Sequence, residues 1–349
     1  MKKRRGDVIP LLADFFGEYL PKDRGLSGNT IKSYQYAFQL LFAFLEKEKK
    51  MPPEQVTFQF LGEGTVDEFL AWLEKDRNCS AKTRNLRRAA LLSFAKYAAK
   101  KAFSASLPFY SAITASKKKK EPGKLFVRYF TKEEIALLLK LPDTSRSLGQ
   151  RDVTLLSVLY STGARAQELC DITLKGISLG NGESRTRIRL TGKGRKTRVV
   201  TIPDACSTIL KGYLQSRRYD LKDPGMADRH LFSSQAKEHM TIACVEEIVG
   251  KYVKLAKARY PHHFQEERYT PHSFRHSIAV HMLEAGDSLV TIKAFLGHAS
   301  ILTTTIYANV TPELASKYLN ERGKPLEDVQ PHAPPQSLPD VLPFLYHRP

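Results

Sequence analysis

At 349 residues the chain exceeds one ordinary domain, and a hydrophobic share of 42% marks it as globular and excludes a disordered polymer. Its 55 Lys and Arg stand against 36 Asp and Glu, a formal charge of +19 that calls for a polyanionic partner. Charge alone leaves nucleic acid, a ribosome or an anionic membrane surface open. No stretch reaches the roughly 18 apolar residues of a spanning helix, and Met1-Lys2-Lys3-Arg4-Arg5-Gly6 lacks the apolar centre of a signal peptide. Cys79, Cys170, Cys206 and Cys244 are widely spaced with no Cys-x-x-Cys pair. Reduced thiols in a cytoplasm are therefore expected, with neither a disulfide framework nor a metal knuckle.

Three apolar stripes at helical spacing come first: Tyr34, Phe38, Leu41 and Leu45; Val66, Phe69 and Leu73; Leu86, Ala90, Phe94 and Tyr97. Each stripe needs the others to be buried, so residues 1–115 are expected to form a helical bundle. Lys32 near one helix start, and Lys82, Arg84, Arg87 and Arg88 on another helix, are candidate grips on phosphates or base edges. The plainer alternative is a set of solvated helix faces. From Ser116 to Lys124 a block of lysines meets Pro122-Gly123, which predicts an exposed linker over 116–125.

A second domain is expected over 126–325. Thr131 and Glu134 form a capping box that opens a helix through Leu139. Helical spacing continues over 152–160, 204–214, 241–260, 271–283, 289–296 and 312–319. Between these, 185–190 and 197–202 alternate around a glycine-containing turn, which predicts a β-hairpin. The fold class is thus mainly α with a small antiparallel β-sheet. After it, 326–349 turns proline-rich yet carries Leu338, Val341, Leu342, Phe344 and Leu345. A tail that short cannot bury them alone and is expected to dock, either back over the Tyr307 region or in trans.

Six side chains of the second domain make chemical sense around one phosphodiester: Arg165, Lys193, His272, Arg275, His298 and Tyr307. The non-bridging oxygens gain charge when a nucleophile adds and need fixed cationic donors, which two planar guanidiniums supply. A tyrosine phenol can attack phosphorus and conserve a phosphodiester, so no ATP is needed. The sugar hydroxyl leaves poorly unless protonated, a task within reach of a flexible lysine. His272 and Arg275, three apart on a helix that begins near Pro271, share one face.

Taken singly, each position has a bland reading. Arg165 could merely start a helix, and Lys193 could be a solvated turn lysine with Arg195 and Lys196 equally well placed. Tyr307 is one of 15 tyrosines and could be a core ring, as Tyr318 could. His272 and His276, four apart, could in principle ligate zinc, but no cysteine is near and no His-Glu-x-x-His pattern appears, so no metal is expected. His262, His263, His276 and His281 read as surface or packing residues.

The ordered run of Thr162-Gly163-Ala164-Arg165-Ala166-Gln167-Glu168-Leu169, then Pro271-His272-Ser273-Phe274-Arg275-His276, then Leu296-Gly297-His298 and Tyr307, resembles the tyrosine recombinases. Phage integrases, Xer-type resolvases and transposon recombinases belong to that family. The resemblance implies a helical DNA-clamping domain before a catalytic domain, together forming a C-shaped clamp. It makes Tyr307 the nucleophile, sets Arg165 and Arg275 on the phosphate and selects Lys193 as the acid. His272 then assists proton transfer and phosphate binding, His298 donates to a phosphate oxygen, and Glu168 braces the site without taking part in the chemistry.

The same resemblance implies double-stranded DNA with paired half-sites as partner, a dimer per site and a tetramer in synapsis, and accessory bending or directionality factors. No cofactor and no membrane is implied, and the chain is expected with the nucleoid. A type IB-like topoisomerase and a catalytically silent DNA-binding regulator remain the rival readings.

Overall fold

Ser27 and Ser80 each accept the backbone N–H of the threonine three residues on, at 3.4 and 3.3 Å. These caps satisfy donors that a helix start leaves open and fix the beginnings of the two longest helices of the N-terminal half. In this computed structural model residues 6–120 and 127–309 are described, apart from 182, 193, 195, 235, 236 and 299. The chain divides into two compact units, Met1–Lys124 and Leu125–Pro349.

The first unit holds α1 (Val8–Asp14), α2 (Gly28–Lys49), α3 (Val66–Lys75), α4 (Ala81–Lys101) and α5 (Phe103–Ala115). A single turn at Phe58–Phe60, capped by Thr57, leads toward α3. Phe15, Phe38, Phe58, Phe94 and Phe109 form the centre of its core, with ring centroids 5.3 to 6.1 Å apart. Such spacing lets rings meet edge-on or offset.

Along α4 the buried stripe differs from the expected one. Leu86 is 48% exposed, whereas Arg84 and Arg88 are buried at 8% and 6%. The reason lies at the end of α5, where carbonyls have no intrahelical donor. Arg88 donates to the carbonyls of Ile113 and Ser116, both at 2.9 Å, and Arg84 donates to that of Lys117 at 3.0 Å. Both guanidiniums thus hold α4 against the end of α5, a partnership the sequence did not predict for these candidate phosphate contacts. Arg87 donates to the carbonyl of Ser33 and lies 4.7 Å over the ring of Tyr36, linking α4 to α2. Lys32 and Lys82 are solvent-exposed.

The second unit begins with α6 (Lys132–Leu139), opened by the reciprocal bonds of Thr131 and Glu134. Next come α7 (Ser147–Thr162), the short α8 (Ala166–Cys170), β1 (Ile177–Ser178), β2 (Arg187–Thr191) and β3 (Thr197–Thr201). β2 and β3 pair antiparallel with Ile188 opposite Val200, and β1 adds a third strand through Ile177 opposite Ile188. That two-residue strand is too short to leave an alternation in the sequence. Four helices follow: α9 (Asp204–Ser216), α10 (Ile242–Arg259), α11 (Pro271–Glu284) and α12 (Leu289–Leu296). α7 is buried on nearly every side, from Val153 to Leu159, and forms the axis of the unit.

Tyr318, the expected helix over 312–319 and the tail over 326–349 lie outside the described residues, as do residues 121–125 of the expected linker. Among the described residues no single helix is long and apolar enough to cross a membrane.

Candidate active site

Two helices of the second unit end on left-handed glycines. Gly163 closes α7 with φ +57°, and Gly297 closes α12 with φ +65°. A side chain is disfavoured at such a φ, and at both places its Cβ would also crowd a neighbouring side chain. A Cβ on Gly163 would stand 2.8 Å from Leu296 Cδ2, and one on Gly297 would stand 3.1 Å from Arg198 Cδ. The two helix ends therefore approach each other closely, their carbonyls carrying the negative ends of the helix dipoles.

Arg275 occupies that meeting point. From α11 it donates to the carbonyl of Gly163 at 2.6 Å and to that of Leu296 at 2.7 Å. These bonds use two of the five N–H groups of a guanidinium. The residue is 3% exposed. Burial and the neighbouring charge of Arg165 lower its pKa to about 10, which leaves it charged at neutral pH.

Arg165 caps α8, immediately after the turn at Gly163. Its backbone N–H and its Nη1 both donate to the carboxylate of Glu168, at 3.0 and 2.7 Å, while 41% of the side chain stays open to solvent. Glu168 itself is 2% exposed and also accepts from Arg198 of β3 at 2.8 Å. Burial alone would raise its pKa, but the hydrogen bonds and charge of Arg198 and Arg165 outweigh that and hold it at about 2. One buried carboxylate thus fixes two arginines from different elements. Arg198 carried no motif in the sequence, and its only signal was a basic residue on an inward position of the hairpin.

Gly192, next to the expected Lys193, is packed on this carboxylate, since a Cβ there would lie 3.1 Å from Glu168 Oε1. Its N–H donates to the carbonyl of Lys196 at 2.8 Å and closes the β2–β3 turn. Lys193 and Arg195 lie outside the described residues. Lys196 is exposed.

His272 sits exposed in the first turn of α11. Desolvation and the charges of Arg275 and Arg165 lower its pKa. His298, half-buried after α12, shares a 2.9 Å hydrogen bond between Nδ1 and the hydroxyl of the fully buried Thr304. Burial and then Arg275, Arg165 and Arg198 push its pKa down to about 4.

Tyr307 lies in the single turn Thr305–Asn309 and is 1% exposed. Its hydroxyl is 3.0 Å from Nδ1 of His276, the residue after Arg275. Burial pushes the phenol up to about 12, against the pull of Arg275 and Arg165. The contact of His276 with Tyr307 corrects its reading as a surface or packing residue, and the adjacency of His276 to Arg275 was the signal available. His281 does pack, buried with Nδ1 2.9 Å from the Tyr160 hydroxyl, and His262 and His263 are exposed. His272 and His276 ring centroids are 6.2 Å apart, and among the described residues no three His, Cys, Asp or Glu converge as a metal ion would require.

The arrangement brings Arg165, Arg275, His272, His298 and Tyr307 into one electrostatically coupled group at the ends of α7, α11 and α12. A mainly helical unit with a three-stranded antiparallel sheet, carrying two arginines, two histidines and a tyrosine in this order, is of the strand-cleaving recombinase class. The chain belongs to the phage integrase family: the family profile matches residues 128–313, and that of the phage integrase N-terminal SAM-like domain matches 13–102.

It is 32% identical over 313 residues to a Sinorhizobium fredii protein named as the integrase/recombinase y4rC, covering 88% of this chain and 89% of that one. Against the tyrosine recombinase XerD of Staphylococcus saprophyticus it is 28% identical over 304 residues, covering 87% and 95%. Two solved structures share the fold. One is the XerH site-specific recombinase bound to palindromic difH substrate, with a TM-score of 0.65, 21% identity and coverage of 92% and 91%. The other is the Tn1549 transposon integrase in complex with transposon right end DNA, at 0.62, 19%, 89% and 98%.

Proposed function

We propose that this chain recombines DNA at specific sites through a 3′-phosphotyrosyl link to Tyr307. Arg165 and Arg275 bind the non-bridging oxygens of the scissile phosphate and stabilise the charge that develops there. His298 donates to a phosphate oxygen, His272 assists proton transfer and phosphate binding, and Lys193 protonates the departing 5′ oxygen. The freed 5′-hydroxyl of one strand then attacks the phosphotyrosine of its partner, so each bond broken is matched by one formed. The observation that carries this reading is the approach of the ends of α7 and α12, which holds Arg275 beside Arg165 within electrostatic reach of Tyr307. For Lys193 over its neighbours, the support is the packing of Gly192 on Glu168.

Residues 1–115 form the clamping domain in this reading and 116–125 the linker. Lys32 and Lys82, exposed near the capped starts of α2 and α4, reach phosphates, with Arg87 beside them. The partner is a duplex with paired half-sites, bound by a dimer and brought into a tetramer, with the tail over 326–349 docking between or within protomers. The setting is the cytoplasm, on the nucleoid. Integration, excision or transposition of mobile DNA is the role.

The test is covalent trapping on nicked duplexes drawn from a random-sequence pool. The unaltered chain should form a complex stable to detergent, and Tyr307→Phe should bind duplex without attaching. Attachment by the phenylalanine variant would remove Tyr307 from its role. Recombination of two sites, against relaxation of a single supercoiled duplex, then separates a recombinase from a topoisomerase.

A further inference from the structure

We propose that His276 is the proton acceptor that aims and activates Tyr307, an inference that rests on Tyr307 being the nucleophile. Three observations converge on it. The phenolic hydroxyl is sealed from solvent, at 1% exposure for the residue, so bulk water is not positioned to take its proton. Its hydrogen-bond partner is Nδ1 of His276, at 3.0 Å, within the reach that general-base catalysis requires. His276 is carried on α11 one residue after Arg275, so the same helix that presents the phosphate-binding guanidinium also presents the acceptor.

The groups around His276 favour its neutral form. Tyr307 faces it from the turn after α12, His272 and Arg275 flank it on α11, and His298 lies near it from the end of α12. None of these is a carboxylate that would hold the imidazolium, and burial together with His272 and Arg275 lowers the imidazole to about 4. A neutral imidazole protonated on Nε2 leaves Nδ1 as an acceptor toward the phenol. His272 is exposed and next to the arginines, which suits the phosphate side of the reaction.

In the proposed step the phenol O–H bond breaks and its proton passes to Nδ1. The freed oxygen pair forms the O–P bond, and the P–O5′ bond breaks with its electron pair leaving on the 5′ oxygen. That oxygen takes a proton from the general acid. Rejoining reverses each transfer, and His276 returns the proton to the phenol.

His276→Asn tests this, because Oδ1 of asparagine can replace Nδ1 as a hydrogen-bond acceptor but cannot take a proton. The probe is a nicked duplex selected from a random pool by attachment to the unaltered chain. Attachment by His276→Asn at pH 7 should be slower by about 10²-fold or more, with duplex affinity unchanged. Its rate should climb about tenfold per pH unit as phenolate forms unaided, and a fluorinated tyrosine of lower pKa at position 307 should restore it.

A wild-type rate in His276→Asn would overturn the proposal. So would a loss that neither alkaline pH nor the fluorinated tyrosine repairs. Should the variant lose duplex binding, the pH profile of the unaltered chain decides: a level rate from about pH 6 to 9 supports the acceptor, and a tenfold climb per unit removes it. Attachment by Tyr307→Phe is the separate result that would defeat the nucleophile itself.

Discussion

Arg275 donates to the carbonyl of Gly163 at 2.6 Å, so the guanidinium at the centre of the site is anchored by a helix end that only glycine closes without strain. The left-handed turn sets the direction of that carbonyl, and the absent Cβ admits Leu296. Gly163→Ala should therefore lose about 1–2 kcal/mol from the backbone conformation alone, with a further loss from the 2.8 Å approach to Leu296. Thermal unfolding should fall by several degrees, and attachment to nicked duplex should slow with it. An unchanged melting temperature would mean that the two helix ends can separate freely.

Arg275→Lys keeps the charge but gives up the fork that reaches two carbonyls at once. An ammonium drawn to one of them leaves the other helix end without its donor. The expected outcome is a slowing of strand cleavage on the order of 10²–10³, as for loss of one transition-state donor. Single-turnover attachment measures it, and duplex affinity should change far less.

Glu168 supplies a pH dependence whose sign is determined. Its carboxyl is held at about 2 in the folded chain, below the 4.5 of an unperturbed glutamate. A depressed pKa adds stability that is complete above the unfolded value and lost as pH falls from about 4.5 toward 2. Glu168→Gln leaves Arg165 and Arg198 without their shared counter-charge and should cost about 3 kcal/mol near neutrality. The gap between the two proteins in urea should narrow steadily below about pH 4.5. A gap independent of pH would mean the carboxylate charge is not what holds the arginines.

Arg88 and Lys82 should separate structure from binding within one helix. Arg88→Ala removes buried charged donors from three acceptors at the end of α5 and should destabilise the first unit by about 2–3 kcal/mol. Lys82→Ala, on an exposed position, should leave stability within about 0.5 kcal/mol. In the proposed binding mode it weakens duplex binding and reduces the salt slope by about 1. Chemical denaturation and salt titrations of duplex affinity, run on both variants, give the comparison.

Arg165, His272 and His298 were legible because each follows a helix boundary that punctuation marks, Gly163 before Arg165, Pro271 before His272 and Gly297 before His298, whereas Arg275 and Tyr307 followed from motif order alone. The long helices were legible for the same reason, with Thr131 and Glu134 visibly capping α6. Side chains whose partners lie far along the chain were not. Arg198 is inward because Glu168, thirty positions earlier, is beneath it. Arg84 and Arg88 look like solvated charges until the end of α5, about 25 to 33 residues on, is seen to need donors. His276 was passed over because helical spacing shows which residues share a face and says nothing of a tyrosine arriving from another element.

The two carbonyls that hold Arg275 belong to the main chain, and a main-chain oxygen has no identity for a substitution to erase. Exposed positions such as Val290 on α12 can therefore change while the guanidinium keeps its seat, whereas the buried faces of α7 and α12 are held by packing. What the anchorage itself demands is the length of each helix and the glycine that ends it. The seat of Arg275 thus rests on backbone geometry and not on the identity of the side chains that carry it.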